Sequence, residues 1–203
     1  DILLPKDAPM EKWAVIACDQ FTSDAEYWKR VKEAAAGSPS TINLVLPEAM
    51  LGTPEEEEHT ALINETMAKY VEEGVFETYA NSLVYVERTL ENGTIRKGLV
   101  GMVDLEAYDF NVGAVTDIRA TEKTVIERIP PRVKVRKDAP VELPHIIMLV
   151  DDHDKVLIEP FTAKKDSLKK VYECDLMEDG GHIVGWVIEG ADADAFVELF
   201  EDY

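Results

Sequence analysis

Residues 82–105 read SLVYVERTLENGTIRKGLVGMVDL, and this stretch decides the fold class. Two β-rich runs, 82–90 and 94–105, flank Glu91-Asn92-Gly93. Asn-Gly between such runs is the strongest short-range hairpin signal, because both residues accept the positive φ that a tight β-turn demands. Gly98 and Gly101 in the second run mark a bulge or a close backbone approach. Further along, 169–176 and 182–188 repeat the arrangement around Asp179-Gly180-Gly181, and 192–200 follows as an amphipathic helix.

Upstream of the first hairpin the pattern alternates instead. Residues 13–17 read as a short apolar strand, and Thr22 or Ser23 then serves as N-cap of a helix ended by Gly37. Residues 41–46 read as a second strand closed by Pro47. Thr53-Pro54-Glu55-Glu56 supplies an N-cap, a proline at the first helical position and a capping-box glutamate. Leu62, Met67, Tyr70 and Val71 form that helix's apolar side, and Gly74 caps it. Residues 124–129 read as a short helical piece broken by Pro130-Pro131, 145–150 as a buried strand, and 156–167 as a helix or an irregular link. The expected class is α+β, with mixed α/β character early: a mixed sheet built on β-hairpins with flanking helices. No repeat or low-complexity tract divides the chain, so a single unit over 1–203 is expected, with an internal joint near 138–144.

The chain has 203 residues and 46% apolar content, enough for a sizeable core. Forty-one acidic against 21 basic residues give a net charge of −20, which disfavours nucleic-acid backbones and anionic membrane surfaces as partners. No apolar run approaches the roughly 20 residues needed to span a bilayer. Cys18 and Cys174 stand apart without a CxxC or Cys/His cluster, so neither a disulfide framework nor a zinc site is expected, and a reducing cytoplasm is the expected compartment.

Against this acidic background, residues 119–137 carry Arg119, Lys123, Arg128, Arg132, Lys134, Arg136 and Lys137 against only Glu122 and Glu127, a local net charge of +5. Such a reversal of field marks a candidate anion site, and the planar fork of arginine suits carboxylates and phosphates. Arg128, Arg132 and Arg136 recur at four-residue spacing around the proline pair. Within 119–124 the order arginine, hydroxyl, carboxylate, hydroxyl could bind phosphate through Arg119 and Thr124, with Arg128 and Arg132 beyond. Glu122 there is a candidate general base. The competing reading is a surface whose cations pair with neighbouring carboxylates.

Two further constellations carry chemistry on paper. Cys18-Asp19 sits at the end of a short strand ahead of a helix, where loops often meet ligands; a packing thiol and a turn or cap aspartate explain it as well. Asp151-Asp152-His153-Asp154 offers hard oxygen ligands for a divalent cation, yet its spacing fits no EF-hand and its composition is that of a solvated turn.

Several segments together resemble the bacterial and archaeal family DUF1015, a domain of unknown function. Ala14-Val15-Ile16-Ala17-Cys18-Asp19 is similar to the family's opening Ala-Pro-Pro-Tyr-Asp segment, and Ser40-Thr41-Ile42-Asn43-Leu44-Val45 with Pro47-Glu48 to its next strand. Leu83-Val84-Tyr85-Val86 resembles its central hairpin, and Glu122-Lys123-Thr124 with Arg132 its His-Glu-x-Thr and downstream arginine. Thr121 stands where the commoner pattern has histidine. The resemblance implies an amino-terminal portion of a longer protein that continues into an Asp-Gly-His-His-Arg motif. That motif is similar to the Asp-Gly-x-His-Arg segments of ParB-like and serine-kinase-like proteins. By that analogy the expectation is a cytoplasmic phosphoryl-transfer enzyme acting on a nucleotide or small phosphorylated ligand, with ATP or ADP and Mg²⁺ as cofactor. Asp19 would position substrate or metal, and the carboxy-terminal portion of the same protein would be a packing partner. The alternative is a non-catalytic docking or structural module of a larger protein.

Overall fold

The protein is described by a computed structural model over residues 1–203, apart from 17–20, 22–23, 48–49, 110, 120–124, 144 and 202–203. Two antiparallel sheets organise it. The larger has the order β4-β3-β6-β5, from β3 (Leu83–Thr89), β4 (Ile95–Val100), β5 (Lys169–Leu176) and β6 (Gly181–Ile188). The smaller pairs β1 (Ile2–Pro5) with β2 (Phe76–Tyr79).

Both hairpins expected from the sequence are present, and each has a physical cause in its turn. Gly93 takes φ +81°, Asn92 Oδ1 accepts from the Thr94 amide at 3.0 Å, and Leu90 N–H bonds Thr94 O at 2.9 Å. Register then runs from Thr89 opposite Ile95 to Val84 opposite Val100. The strand stops there, short of the expected Leu105. Gly98 is regularly paired with Val86, so it marks no bulge; Gly101 is the close approach, since a Cβ there would lie 2.5 Å from Leu83 Cδ2. The register irregularity falls instead on β5, between Lys170 and Tyr172. In the second hairpin Gly181 has φ +88°, and its missing Cβ would lie 2.1 Å from Thr89 O, so the turn packs directly on the neighbouring strand.

Helices cover the sheet unevenly. The α5 (Glu159–Lys164) and α6 (Ala191–Phe200) helices lie over the face that carries Tyr85 and Ile188, where Phe161 and Ala193 complete a buried cluster. Two other clusters form away from this face. Tyr27, Trp28 and Val31 of α2 (Ala25–Ala34) pack on Ile16 and Ile42. Ile63, Met67 and Tyr70 of α3 (Glu56–Glu72) pack on Trp13 of α1 (Met10–Trp13), on Leu44 and on Val135.

Several local expectations are corrected. Residues 10–13 are helical rather than the start of a strand, and Ala17 lies outside the described residues. Thr41–Leu44 is a 3₁₀ turn: Ser40 Oγ accepts from the Ile42 amide at 3.4 Å, and Asn43 Nδ2 donates to Tyr70 OH at 3.1 Å. Side-chain bonds thus override the β-branched composition. The α2 cap is Asp24, whose carboxylate accepts from Tyr27 N at 3.0 Å, while Thr22 and Ser23 lie outside the described residues. The α3 helix begins at Glu56, three residues beyond Thr53, and Glu56 Oε2 reaches back to the Gly52 amide at 2.7 Å. The acidic run 56–58 sits in its first turn, where the helix dipole favours negative charge.

The largest departure is at 145–150. This apolar run forms no strand and is not buried: Ile146, Ile147 and Leu149 are 80%, 86% and 85% exposed. Local composition specifies a β-conformation but not what covers it, and no described segment does.

Candidate anion-binding site

The basic segment becomes α4 (Ile129–Arg136), preceded by a 3₁₀ turn at Ile126–Arg128. Pro130 and Pro131 open this helix rather than break one. Both lie in its first turn, where backbone N–H groups have no intrahelical acceptor, so proline loses nothing there.

Only Val135 of α4 is buried, against the α1 and α3 cluster. The opposite side carries Ile129, Arg132, Val133, Arg136 and Lys137, the i, i+3, i+4, i+7, i+8 stripe of one helix face. These five line a shallow, open depression of about 340 Å³. Ile129 and Val133 are 42% and 52% exposed, so the stripe presents apolar surface framed by cations.

The cations divide into two classes. Lys134 Nζ meets Glu57 Oε1 of α3 at 3.0 Å, and Arg136 Nη1 meets Glu142 Oε1 at 2.9 Å. Arg132 and Lys137 are exposed and have no ion-pair partner among the described residues. Pairing with neighbouring carboxylates therefore accounts for Lys134 and Arg136 but not for the two cations on either side of them.

Of the other residues singled out from the sequence, Arg119 is exposed and its Nε donates to Thr116 O at 3.1 Å. The Arg128 backbone closes the 3₁₀ turn before α4, while its side chain lies outside what is described. Asp19, Glu122 and Thr124 also lie outside the described residues, as does Cys18. The Asp151–Asp154 stretch resolves as a turn. Asp152 accepts from Val156 N and Leu157 N at 3.0 and 2.9 Å, and His153 Nε2 lies 3.3 Å from Asp151 Oδ1. No group of three or more His, Cys, Asp or Glu able to hold a metal occurs among the described residues. No helix among them is long and apolar enough to cross a membrane.

Two polar clusters on the sheet escaped sequence reasoning. Glu87, 8% exposed, accepts from Tyr85 OH at 2.6 Å and from Lys165 Nζ at 2.7 Å; Tyr85 OH also contacts Thr162 Oγ1 at 2.8 Å. Lys165 stands 5.4 Å from the Trp186 ring centroid. Burial alone would raise the Glu87 pKa, but the bonds from Lys165 and Tyr85 outweigh it and hold the carboxyl below its ordinary value. Burial first, then the Glu87 carboxylate, pushes the Tyr85 hydroxyl up to about 12. Every polar group here has a partner, the condition for a structural network. On β5 and β6, His182 bridges Asp175 at 2.7 Å and Glu173 at 3.2 Å, and Lys170 also pairs with Glu173. The signal for both clusters was cross-strand register, which places Tyr85 and Glu87 on one face of β3 and His182 opposite Asp175.

The fold and its basic helix define an α+β protein with an exposed, half-neutralised cationic stripe. A family model described as protein of unknown function (DUF1015) matches residues 3–203, and the chain belongs to that family. Comparison with curated proteins and with solved structures finds no match.

Proposed function

We propose that this chain binds a small phosphorylated ligand of the nucleotide class on the solvent-facing stripe of α4, as part of a phosphoryl-transfer enzyme. The observation that carries the reading is the pairing pattern. Arg132 and Lys137 have no counterion among the described residues in a chain of net charge −20, and Ile129 and Val133 offer apolar surface beside them. Phosphate oxygens are the ligand chemistry that suits a guanidinium fork beside an ammonium.

In this reading Arg132 and Lys137 hold phosphate oxygens, and Arg119, Thr124 and Arg128 extend the anion contacts. Glu122 orients or deprotonates the acceptor hydroxyl, and Asp19 positions substrate or Mg²⁺. ATP or ADP with Mg²⁺ is the cofactor proposed. Support for transfer, beyond binding, comes from the likeness of the family's downstream Asp-Gly-His-His-Arg motif to serine-kinase-like segments. Titration calorimetry with ADP and ATP, with and without Mg²⁺, tests it: binding lost in Arg132→Ala is expected, and absence of binding to the intact chain would remove the proposal.

A second reading has its own support. Beside α6, Met102 and Val197 are 80% and 51% exposed and border an open hollow of about 540 Å³, which suits a docking module for another part of a larger protein. A nucleic-acid partner is disfavoured by the overall charge.

A further inference from the structure

Residues 145–150, HIIMLV, combine a strand-like apolar composition with near-complete exposure of three large aliphatic side chains. Monomeric proteins rarely leave so continuous an apolar run in water. The same structure contains an edge that fits it. β4 is hydrogen-bonded to β3 on one side only and forms an outer edge of the four-stranded sheet. Its outward N–H and C=O groups are a template for another strand.

The two sequences match in charge and polarity when laid antiparallel. With Asp151 opposite Lys97, Val150 falls opposite Gly98, Leu149 opposite Leu99 and Met148 opposite Val100, and Ile146 meets the exposed Met102 just past the strand end. Acid then meets base at one end, Leu149 and Met148 meet aliphatic partners, and Val150 and Ile147 face the glycines Gly98 and Gly101. Gly98 leaves room for Val150: a Cβ built on it would have no neighbour within 4 Å. Lys97 lies opposite Glu87 in the ladder and its charge helps to hold that carboxyl down, while Arg96 has no ion-pair partner among the described residues and lies directly opposite Arg88, a repulsion that nearby acid would relieve. Cationic residues on an edge ordinarily repel other strands; this edge would admit one that carries acid at the matching position.

We propose that two copies of this chain associate by reciprocal strand addition, residues 145–150 of each pairing antiparallel with β4 of the other. Among the described residues neither half of the junction has a strand partner on a single chain, so a twofold arrangement forms two identical junctions and leaves neither half over. Each sheet gains a fifth strand. The site lies on the sheet edge and not on α4, so it stands independently of the phosphate-binding reading.

Sedimentation velocity on the intact chain, from micromolar to roughly 0.1 mM, spans the weak to moderate range of specific association. A dimer is expected. Leu149→Lys, at a position already 85% exposed, is expected to leave the fold intact by circular dichroism and to return the chain to monomer. Lys97→Asp and Asp151→Lys should each weaken the dimer by about tenfold or more, and the double exchange should recover it. A chain that stays monomeric at 0.1 mM overturns the proposal. If hydrogen exchange then shows amides 146–150 protected in the monomer, the segment covers its own edge instead of a partner's. A dimer unaffected by Leu149→Lys also overturns it.

Discussion

Arg132 and Arg136 stand one helical turn apart on the same face of α4, yet among the described residues only Arg136 finds a carboxylate, Glu142 at 2.9 Å. Two arginines that look alike in the sequence therefore differ in what they can still bind. A guanidinium already held by a carboxylate must surrender that bond before it takes a phosphate, whereas an unpaired one gains the full charge-assisted contact.

Arg132→Ala is accordingly expected to lower nucleotide affinity by about tenfold to a hundredfold, the loss of one charge-assisted hydrogen bond of roughly 1.5–3 kcal/mol. Its melting temperature should stay within about a degree of the parent, since the side chain is exposed and makes no hydrogen bond or ion pair with the described residues. Arg136→Ala should cost less affinity. Calorimetry on both variants checks the order, and equal losses would contradict the distinction drawn between them.

Lys165→Met leaves the Glu87 carboxylate buried without its cation. We expect a loss of about 1–3 kcal/mol near neutral pH, less than for a fully buried pair because the Lys165 side chain is 31% exposed. The pH dependence should change sign as well. In the parent the Glu87 pKa is held down, so its contribution is present above the usual carboxylate range and is lost as pH falls through the folded value. In the variant burial acts without Lys165 and the Glu87 pKa should rise. Stability would then fall as pH rises through it. Urea midpoints at about pH 4 and pH 7 separate the two slopes.

His182 shows the opposite linkage. Its hydrogen bond to Asp175 raises the imidazole pKa; burial opposes that, and the Glu173 bond reinforces it. Its stabilising contribution is therefore complete below the unfolded value of about 6.5 and disappears as pH rises through the folded one. The imidazole ¹H resonances should titrate with a midpoint above 6.5, and Asp175→Asn should bring that midpoint down. An unchanged midpoint would mean that the Asp175 contact at 2.7 Å is not kept in solution.

Gly181→Ala carries two penalties at one position: a left-handed φ of +88° and a Cβ placed 2.1 Å from the Thr89 carbonyl oxygen. Backbone cannot yield as a flexible side-chain tip does, so a loss of about 2–4 kcal/mol is expected by chemical denaturation. Gly98→Ala, with no atom within 4 Å of the new methyl and no positive φ, is the control and should change stability by less than about 1 kcal/mol.

Both hairpins were legible in the sequence because their turns are local: Asn92-Gly93 and Asp179-Gly180-Gly181 announce themselves by residue type. The helix over Glu56–Glu72 was legible through its periodicity, although its start was placed at Thr53. Ile2–Pro5 and Phe76–Tyr79 were missed because each is only four residues long and finds its partner across more than seventy positions of chain. At 145–150 the apolar composition reads as a buried strand and the segment is neither paired nor buried, since both depend on a partner that local pattern cannot name. In the site, the cluster of cations was visible from composition. The division into paired and unpaired members depended on Glu57 and Glu142, which only the fold brings to Lys134 and Arg136.

The helix that bears the cations is held by little: Val135 is its one buried side chain, and Lys134 bridges to α3 through the exposed Glu57. A segment tethered so lightly is expected to open while the four-stranded sheet stays intact, its amides exchanging at a free energy well below that of global unfolding. An anion that spanned Arg132 and Lys137 would act on this local equilibrium. It is expected to slow exchange across 129–137 and to leave the protection of β3 and β6 untouched, so that α4 would report occupancy by its own rigidity.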